Sequence, residues 1–243
     1  MSCMYRRVIL KLSGETLAPE GFSNDGQSSA AFDAARVDKV ADVVARLGDM
    51  GVEVGVIMGG GNIWRGRFTD DMNPVNADQM GMLATIINSL AVEDALTRRG
   101  KRATVFTAQE MNRFAKLYTA QAAIDCMERG EIALLAGGTG NPFFTTDTTA
   151  ALRAAELKAD AVFKGTTVDG IFDCDPRTNP NAKLIRDITY REAVEKGLRA
   201  LDLTAFLLCM EQKVPLVRVF SMDDLENILR VAAGEPLGTT VHP

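Results

Sequence analysis

Histidine is almost absent from the 243-residue sequence, whose single histidine, His242, is the penultimate residue. Serine–histidine–aspartate triads, cysteine–histidine pairs and two-histidine zinc sites all need a histidine at the site. A residue this close to a chain end is expected to lie in a frayed tail. The sequence therefore argues against all three kinds of site.

Clustered cysteines and long apolar runs are also missing. The four cysteines are widely spaced and form no Cys-x-x-Cys motif, which is typical of free thiols in a reducing cytoplasm rather than of disulfide frameworks or zinc ribbons. No segment approaches the roughly 18 consecutive apolar residues of a membrane helix. The apolar run at 8–10 is too short for the core of a signal peptide. We therefore expect a cytoplasmic protein without a membrane span.

Positive charge is not in excess, since 27 lysines and arginines face 32 aspartates and glutamates. This acidic balance disfavours general nucleic-acid binding, although a local basic patch stays open. The apolar content of 47% is ordinary for a globular chain, and a chain of this length can bury a sizeable core without disulfides or metals. Because no internal repeat or linker-like segment interrupts it, we predict a single domain over residues 1–243.

Short β-branched runs alternate with longer helical stretches along the chain. Several runs are apolar on both faces, as buried parallel strands are, and glycines stand where helices would end, at 51, 100, 130 and 234. The alternation predicts an α/β fold with a mostly parallel central sheet and helices on both faces. The predicted strands are 7–12, 52–58, 102–107, 131–136, 160–164 and 215–220, and the predicted helices are 31–50, 76–99, 115–129, 147–157, 190–196, 203–212 and 223–233.

Ligands of such sheets bind at the carboxyl ends of the strands, and the first two strand ends are suited to anions. Lys11 closes the first strand and is followed by Ser13 and Gly14, so an ammonium and backbone N–H groups can face an anion there. A surface lysine before an ordinary turn is the alternative. Glycines 59–61 follow the second strand and permit close backbone approach to a ligand and positive φ, and Arg65 can bind a phosphate with two hydrogen bonds. A flexible turn is the alternative here.

The loop after the fourth predicted strand, residues 136–148, combines glycines and hydroxyls ahead of a helix. As a whole it has the composition of a lining for a polar substrate, but Thr146 or Asp147 alone would also serve as a plain helix cap. Phe143 and Phe144 are open to two interpretations, as core residues or as a wall beside a base.

The loop after the fifth predicted strand, residues 164–176, has two interpretations as well. It is either a structured surface loop or part of a nucleotide site. In a nucleotide site Phe172 would lie against a base and Asp175 near a ribose.

The familiar phosphate-binding motifs are missing, since there is no GxxxxGK[ST], no GxGxxG after a strand and no HRD or DFG pair. Glycine loops, two lysines, an arginine and several acids nevertheless fall on one predicted sheet edge, which suits phosphoryl transfer. A phosphate or carboxylate acceptor fits a histidine-free site best, because a phosphate monoester is largely dianionic at pH 7 and needs no general base. Holding two polyanions together calls for lysine, arginine, N–H groups and Mg²⁺.

Seven sequence blocks, in the same order and without a large insertion, resemble the amino acid kinase family and, within it, the bacterial UMP kinases. The resemblance spans about the whole chain. It implies a three-layer α/β/α sandwich, a homohexameric assembly and the reaction ATP + UMP → ADP + UDP with Mg²⁺, a step of pyrimidine nucleotide biosynthesis. The blocks are KLSGE at 11–15, GGGN-x-x-RG at 59–66, AD-x-MGMLAT at 77–85, GGTGNPFFTTDT at 137–148, VDGIFD-x-DP at 168–176, LTAF at 203–206 and the closing strand and helix from Val214.

The resemblance also implies roles for individual residues. Lys11 would neutralise charge on the transferring phosphoryl group, oriented by a charge-assisted hydrogen bond with Asp147. Arg65 would hold phosphate, Asp202 lies where the family has an acid close to the active site, and the metal would be held mainly by nucleotide phosphates. The residues implied in ATP binding are Lys11, Leu12, Ser13, Gly14, Gly61, Arg65, Thr166, Phe172 and Asp175. Those implied in UMP binding are Gly60, Asp78, Thr139, Gly140, Asn141, Pro142, Phe143, Phe144, Thr145 and Thr146.

Four departures from the family pattern bear on donor binding and regulation. Thr167 stands where the family commonly has lysine, so a positive charge beside the donor is lost. Segments 18–30, 73–76 and 109–123 also differ, and the last lies in a neighbourhood that contributes to subunit contacts and effector binding in the family. We therefore expect the hexamer to persist with an altered response to the family's effectors, activating GTP and inhibitory UTP.

Two other functions compete with this interpretation. A relative acting on a carboxylate or carbamate would not need the loop at 139–146 or Asp78, since a small acid has no ribose or base. A nucleotide-binding regulatory protein without turnover would not need Lys11, Arg65 and Asp147 together. Turnover with Mg-ATP, rather than binding, separates these functions.

Overall fold

A computed structural model describes residues 3–20, 22, 30–65 and 72–243. A 3₁₀ turn, Gly14–Leu17, follows the first strand. The helices in these ranges are α1 Ala34–Asp49, α2 Pro74–Arg98, α3 Ala120–Glu128, α4 Thr146–Glu156, α5 Tyr190–Glu195, α6 Leu203–Glu211 and α7 Asn227–Ala232. The strands are β1 Arg7–Leu12, β2 Glu53–Met58, β3 Ala103–Thr107, β4 Lys116–Leu117, β5 Ile132–Ala136, β6 Ala161–Thr166, β7 Ile171–Phe172, β8 Leu184–Ile185, β9 Asp187–Thr189, β10 Val217–Ser221 and β11 Thr239–His242.

Nine strands form one sheet in the order β4-β3-β5-β2-β1-β6-β10-β11-β9, and β7 pairs with β8 apart from it. All neighbours in the large sheet are parallel except β10 and β11. β1 lies at the centre, between β2 and β6. The predicted α/β fold with a mostly parallel sheet is confirmed, and the carboxyl ends of β1, β2, β5 and β6 share one edge.

The sheet is covered by helices on both faces, which gives three layers. Successive strand residues point to opposite faces, so Val8 and Leu10 pack in one core while Ile9 packs in the other. The first core includes residues of α1, α2 and α7, and the second includes residues of α3, α4, α5 and α6. By the same alternation Lys11 points to the face of Ile9, toward α4.

Helix ends follow the predicted glycine signals. The glycines at 51, 100, 130 and 234 all have positive φ, between 71° and 94°, and each follows a helix or its last turn. Glycine takes this conformation without the strain that a Cβ adds, whereas α4 and α6 are followed by lysines with positive φ, Lys158 and Lys213. In the described ranges no helix combines the length and apolar character needed to cross a membrane.

Two expectations from the sequence are wrong. The predicted helix 115–129 starts only at Ala120, capped by Thr119, because Lys116–Leu117 instead extend the sheet edge beside β3. His242 is not frayed, since it lies in β11 opposite Thr189 and its Nε2 is 2.9 Å from Oδ1 of Asp187. The hydrogen bond to Asp187 raises the pKa of the imidazole.

Candidate active site

A cleft of about 810 Å³ opens at the carboxyl ends of β1, β2 and β5, beside the first turns of α2 and α4. The elements that line it are far apart in sequence and meet because parallel strands end at the same edge of the sheet. The cleft brings together many of the residues predicted from the sequence, namely Lys11, Ser13, Gly14, Gly60, Gly61, Arg65, Asp78, Asn141, Phe144, Thr145 and Thr146.

An ion pair lies at the centre of this edge. Nζ of Lys11 is 3.0 Å from Oδ1 of Asp147, which stands in the first turn of α4. Thr145 caps that turn, accepting the N–H groups of Asp147 and Thr148 at 3.0 and 3.3 Å. Among the described residues, none donates a well-aligned hydrogen bond to Oδ1, so its contact with Lys11 is mainly ionic. The predicted pairing is present, without the hydrogen-bond geometry expected for it.

A second lysine shares the same carboxylate. Lys164 donates hydrogen bonds to Oδ2 of Asp147 and to the carbonyl of Ala200. Burial by itself would raise the pKa of the Asp147 carboxyl, but the charges of Lys11 and Lys164 outweigh burial and hold this pKa below its ordinary value. Asp147 is therefore an anion at neutral pH.

Asp202 is tied to the same helix end. It caps α6 through the N–H of Ala205 at 2.9 Å, and it accepts hydrogen bonds from the hydroxyls of Thr145 and Thr148. The predicted acid thus lies near the ion pair, but it acts on the cap of α4 rather than lining the cleft.

The glycines after β1 and β2 serve close packing. A Cβ on Gly14 would lie 2.3 Å from Oδ1 of Asn62, and a Cβ on Gly60 would lie 2.9 Å from the carbonyl oxygen of Gly81. Residues 59–61 do not have positive φ, so that part of the prediction is wrong. The close approaches of Gly14 and Gly60 are to other residues of the protein, and close backbone approach to a ligand stays a prediction. The buried amide of Asn88 donates to the Gly59 carbonyl at 2.6 Å and fixes the loop.

The loop after β5 holds an unusual backbone conformation. Phe143 has φ of 71°, and its N–H donates to Oδ2 of Asp78 at 2.7 Å. Positive φ in a residue other than glycine costs about 1–2 kcal/mol, which this charge-assisted hydrogen bond offsets. Phe143 and Phe144 are 72% and 49% exposed, so they are not core residues. Both are free to contact a ligand.

The arginine after the glycine loop is engaged by a neighbour. Arg65 forms an ion pair with Glu15, and Nε1 of Trp64 donates to the Ala77 carbonyl at 2.9 Å, which ties this loop to α2. Gly66, the last residue of its sequence block, lies outside the described residues. Arg65 is at the cleft as predicted, and its guanidinium has N–H donors besides those facing Glu15 that a phosphate can use.

The residues predicted to bind the donor nucleotide are only partly brought together. Thr166 lines a second cavity of about 470 Å³ next to Ser13, so it adjoins the site. Phe172 lies on the separate β7–β8 pair, and Asp175 is exposed and accepts the N–H of Arg177 at 2.9 Å. Neither of these two residues lines a described cavity.

Three residues that organise the site were missed from the sequence, and a fourth, Lys164, was predicted only as one of two lysines at the sheet edge, without a role of its own. Gln109 donates to the carbonyl of Gly140 at 2.8 Å and supports the loop after β5, and Thr148 holds Asp202. The sequence feature that could have revealed Asn88 is a lone amide in an apolar helical stretch. The signal for Lys164 was an apolar strand that ends in lysine, as the strand of Lys11 does.

No metal cage is formed by protein side chains in the described parts of the chain, where no group of three or more histidine, cysteine, aspartate or glutamate residues is suitably placed. The two acids at the site are already engaged, Asp147 by two lysines and Asp202 by hydroxyls and an N–H group. This donor set fits an ion that enters with phosphate oxygens as its ligands, as Mg²⁺ commonly does.

Comparison with known proteins gives consistent similarities. Residues 6–221 match the model of the amino acid kinase family. A curated relative named uridylate kinase, from Bacteroides thetaiotaomicron, is 45% identical over 240 residues, which is 98% of both chains. Another uridylate kinase, from Phocaeicola vulgatus, is 43% identical over the same share of both chains. The crystal structure of UMP kinase from Bacillus anthracis superposes with a TM-score of 0.90 at 34% identity, covering 98% of this chain and 96% of that one.

Proposed function

Because the chain belongs to the amino acid kinase family, we propose that it transfers the γ-phosphoryl group of ATP to UMP, giving ADP and UDP. The observation that carries the proposal is the single cleft in which Lys11, the glycine loop at 59–61, Asp78 and the loop after β5 meet. A cation and backbone N–H groups are suited to polyphosphate. A carboxylate and exposed aromatic rings are suited to a ribose and a base.

On the donor side, Lys11 binds the transferring phosphoryl group, and the backbone of residues 12–14 and of Gly61 binds the other ATP phosphates. Lys11 is anchored by Asp147 at 3.0 Å, so its charge is already placed where negative charge develops. Arg65 binds phosphate through N–H donors besides those facing Glu15. Thr166, which shares a cavity with Ser13, contacts the nucleoside part of ATP, and the remaining contacts come from Phe172 and Asp175.

On the acceptor side, Gly60 faces the phosphate of UMP and Asp78 binds its ribose. Asp78 uses Oδ2 for the N–H of Phe143, which leaves Oδ1 for a hydroxyl group. The loop from Thr139 to Thr146 wraps the uridine, and its aromatic residues are exposed enough to do so.

Chemistry at this site needs no general base. The acceptor phosphate is largely dianionic at pH 7, since the second pKa of a phosphate monoester is about 6. Catalysis then consists of positioning two phosphates and neutralising their charge. Lys11, Asp147 and Asp202 provide this arrangement, with Asp202 acting through the cap of α4.

We propose that Mg²⁺ enters bound to ATP, since the two acids at the site are occupied by protein partners. The chemistry that Mg²⁺ supplies when bound is to neutralise negative charge on the phosphates.

We also propose that the protein is cytoplasmic and assembles as a homohexamer with an altered response to GTP and UTP. Its four cysteines are free thiols, as in reducing compartments.

Met80, Leu83 and Ile87 are exposed along one side of α2, and an apolar stripe at this helical spacing is typical of a protein contact. Analytical ultracentrifugation tests the assembly, and a normal GTP activation curve would contradict the altered response.

An ADP-release assay with Mg-ATP tests the main proposal. UMP, CMP, dUMP, AMP, carbamate and acetylglutamate are compared as acceptors at equal concentration. We expect strong turnover with UMP and little with the small acids. Turnover with carbamate or acetylglutamate instead of UMP would contradict the role of the loop at 139–146, and ATP binding without turnover would support a regulatory protein.

A further inference from the structure

Lys164 is a buried lysine to which the proposed reaction assigns no role. Its side chain is 12% exposed, and its ammonium lies between the Asp147 carboxylate and the Ala200 carbonyl. It lines neither the cleft nor the cavity next to Ser13. Lys164 is therefore not placed to touch either nucleotide, and any effect on the reaction has to come through its protein partners or through its charge.

Strand register places Lys164 beside Lys11. The two lysines are paired residues on the parallel strands β1 and β6, and their side chains point to the same face of the sheet, toward the first turn of α4. One carboxylate, that of Asp147, lies between them, with Oδ1 toward Lys11 and Oδ2 toward Lys164. The orientation of this carboxylate depends on both cations.

A buried ammonium at this position is costly for the fold. Removing an ammonium from water disfavours its charged form, and burial accordingly lowers the pKa of Lys164, although the charge of Asp147 opposes this. An apolar side chain would fill the same space without this cost, since Val162, which lies two residues earlier on the same face of β6, is a core residue. Simple core packing does not account for the lysine.

The second partner of Lys164 extends the contact to the turn before α6. Ala200 precedes Asp202 by two residues, and Asp202 accepts hydrogen bonds from Thr145 and Thr148 at the start of α4. The turn at 200–202 is thus held to α4 at two points, by Lys164 through Asp147 and by the two hydroxyls through Asp202.

We propose that Lys164 is a positioning residue for phosphoryl transfer, which fixes the Asp147 carboxylate and the turn at 200–202 so that Lys11 is held toward the donor phosphate. This proposal rests on the proposed function. Without Lys164, Oδ2 of Asp147 loses its partner and both oxygens become available to Lys11. The ammonium of Lys11 is then drawn toward α4 and away from the transferring group.

The test compares wild type with Lys164→Met, Asp147→Asn and the double variant in the UMP assay with Mg-ATP. We expect Lys164→Met to lower kcat by about 10- to 100-fold, with the KM values for UMP and ATP within about threefold, because Lys164 touches neither substrate. In the Asp147→Asn background the same substitution should change kcat by less than about twofold, since the carboxylate through which it acts is gone.

Two controls separate positioning from a general loss of structure. Lys196→Met removes an exposed lysine near the end of α5 and should leave kcat unchanged. If Lys164→Met does not fold, Lys164→Gln takes its place in the test. Glutamine keeps a hydrogen-bond donor but removes the charge. A merely structural role would lower the amount of folded enzyme, which thermal unfolding detects, so kcat is calculated per folded enzyme. A lower kcat in fully folded Lys164→Met that disappears in the Asp147→Asn background is the result that a structural role would not give.

If the wild-type enzyme is active, two results with the variants would overturn the proposal. One is a folded Lys164→Met variant whose kcat stays within about threefold of wild type. The other is a double variant in which the two losses multiply, which would mean that Lys164 acts independently of Asp147. Absence of UMP turnover in the wild type would instead refute the proposed function itself, and the positioning role with it.

Discussion

The Asp147→Asn variant removes one negative charge from between two ammonium groups while keeping the size of the side chain. At the observed 3.0 Å between Lys11 and Asp147, opposite charges attract by about 5 kcal/mol at an effective dielectric constant of 20. If half of this attraction serves to hold Lys11 in the transition state, kcat falls by about 100-fold. Lys164 loses its partner as well, so we expect a loss of at least this size.

The assay is the initial rate of ADP release at saturating Mg-ATP and UMP. Because breaking a buried ion pair can cost about 3–5 kcal/mol of stability, thermal unfolding of the variant has to show that it is folded at the assay temperature. Asp125→Asn, at an exposed site on α3 where the carboxylate accepts a hydrogen bond from Gln121, is the matched control. A tenfold or smaller loss of kcat in folded Asp147→Asn would refute the role of the carboxylate.

Three further predictions concern packing, the acceptor loop and pH. Gly14→Ala should lower the free energy of unfolding by about 1–3 kcal/mol in urea denaturation, because the new Cβ would lie 2.3 Å from Oδ1 of Asn62. Asp78→Ala should raise the KM for UMP about tenfold or more without changing that for ATP, since it removes the acceptor of the Phe143 N–H. The stabilisation from Asp147, whose pKa is lowered in the fold, is complete above the unfolded-state pKa of about 3.9 and should disappear only as the pH falls below about 4.

Each of these predictions has a contradicting result. An unchanged urea midpoint for Gly14→Ala would mean that the loops after β1 and β2 can separate at little cost. An equal rise in the KM values of both substrates for Asp78→Ala would place that residue outside the acceptor site. A stability difference between wild type and Asp147→Asn that already shrinks between about pH 6 and pH 5 would contradict the lowered pKa.

Local sequence patterns were sufficient for the central strands and most helices. The six predicted strands correspond to β1, β2, β3, β5, β6 and β10 within one or two residues, because each is an apolar run buried on both faces. β4 was missed because two residues carry no periodicity. β11 was missed because it is a run of only four residues, Thr239–His242, in which buried and half-buried positions alternate. The single domain over residues 1–243 stays a prediction.

The types of residue at the candidate site could be predicted from the sequence, but most of the contacts between these residues could not. Lys11 and Asp147 follow from sequence blocks, yet their pairing with Lys164 depends on β1 lying next to β6, which no local pattern specifies. Likewise, the resemblance places Asp202 close to the active site without indicating its hydrogen-bond partners. Its hydrogen bonds with Thr145 and Thr148 show which groups it holds.

A phosphorus NMR spectrum of the products tests the central claim most directly. The full chain is incubated with Mg-ATP and UMP, and the phosphorus signals are followed until ATP is consumed. The account predicts that ADP and UDP appear in equal amounts, with no inorganic phosphate, because the γ-phosphoryl group passes between two nucleotides held in one cleft. Loss of ATP with inorganic phosphate and without UDP would contradict it.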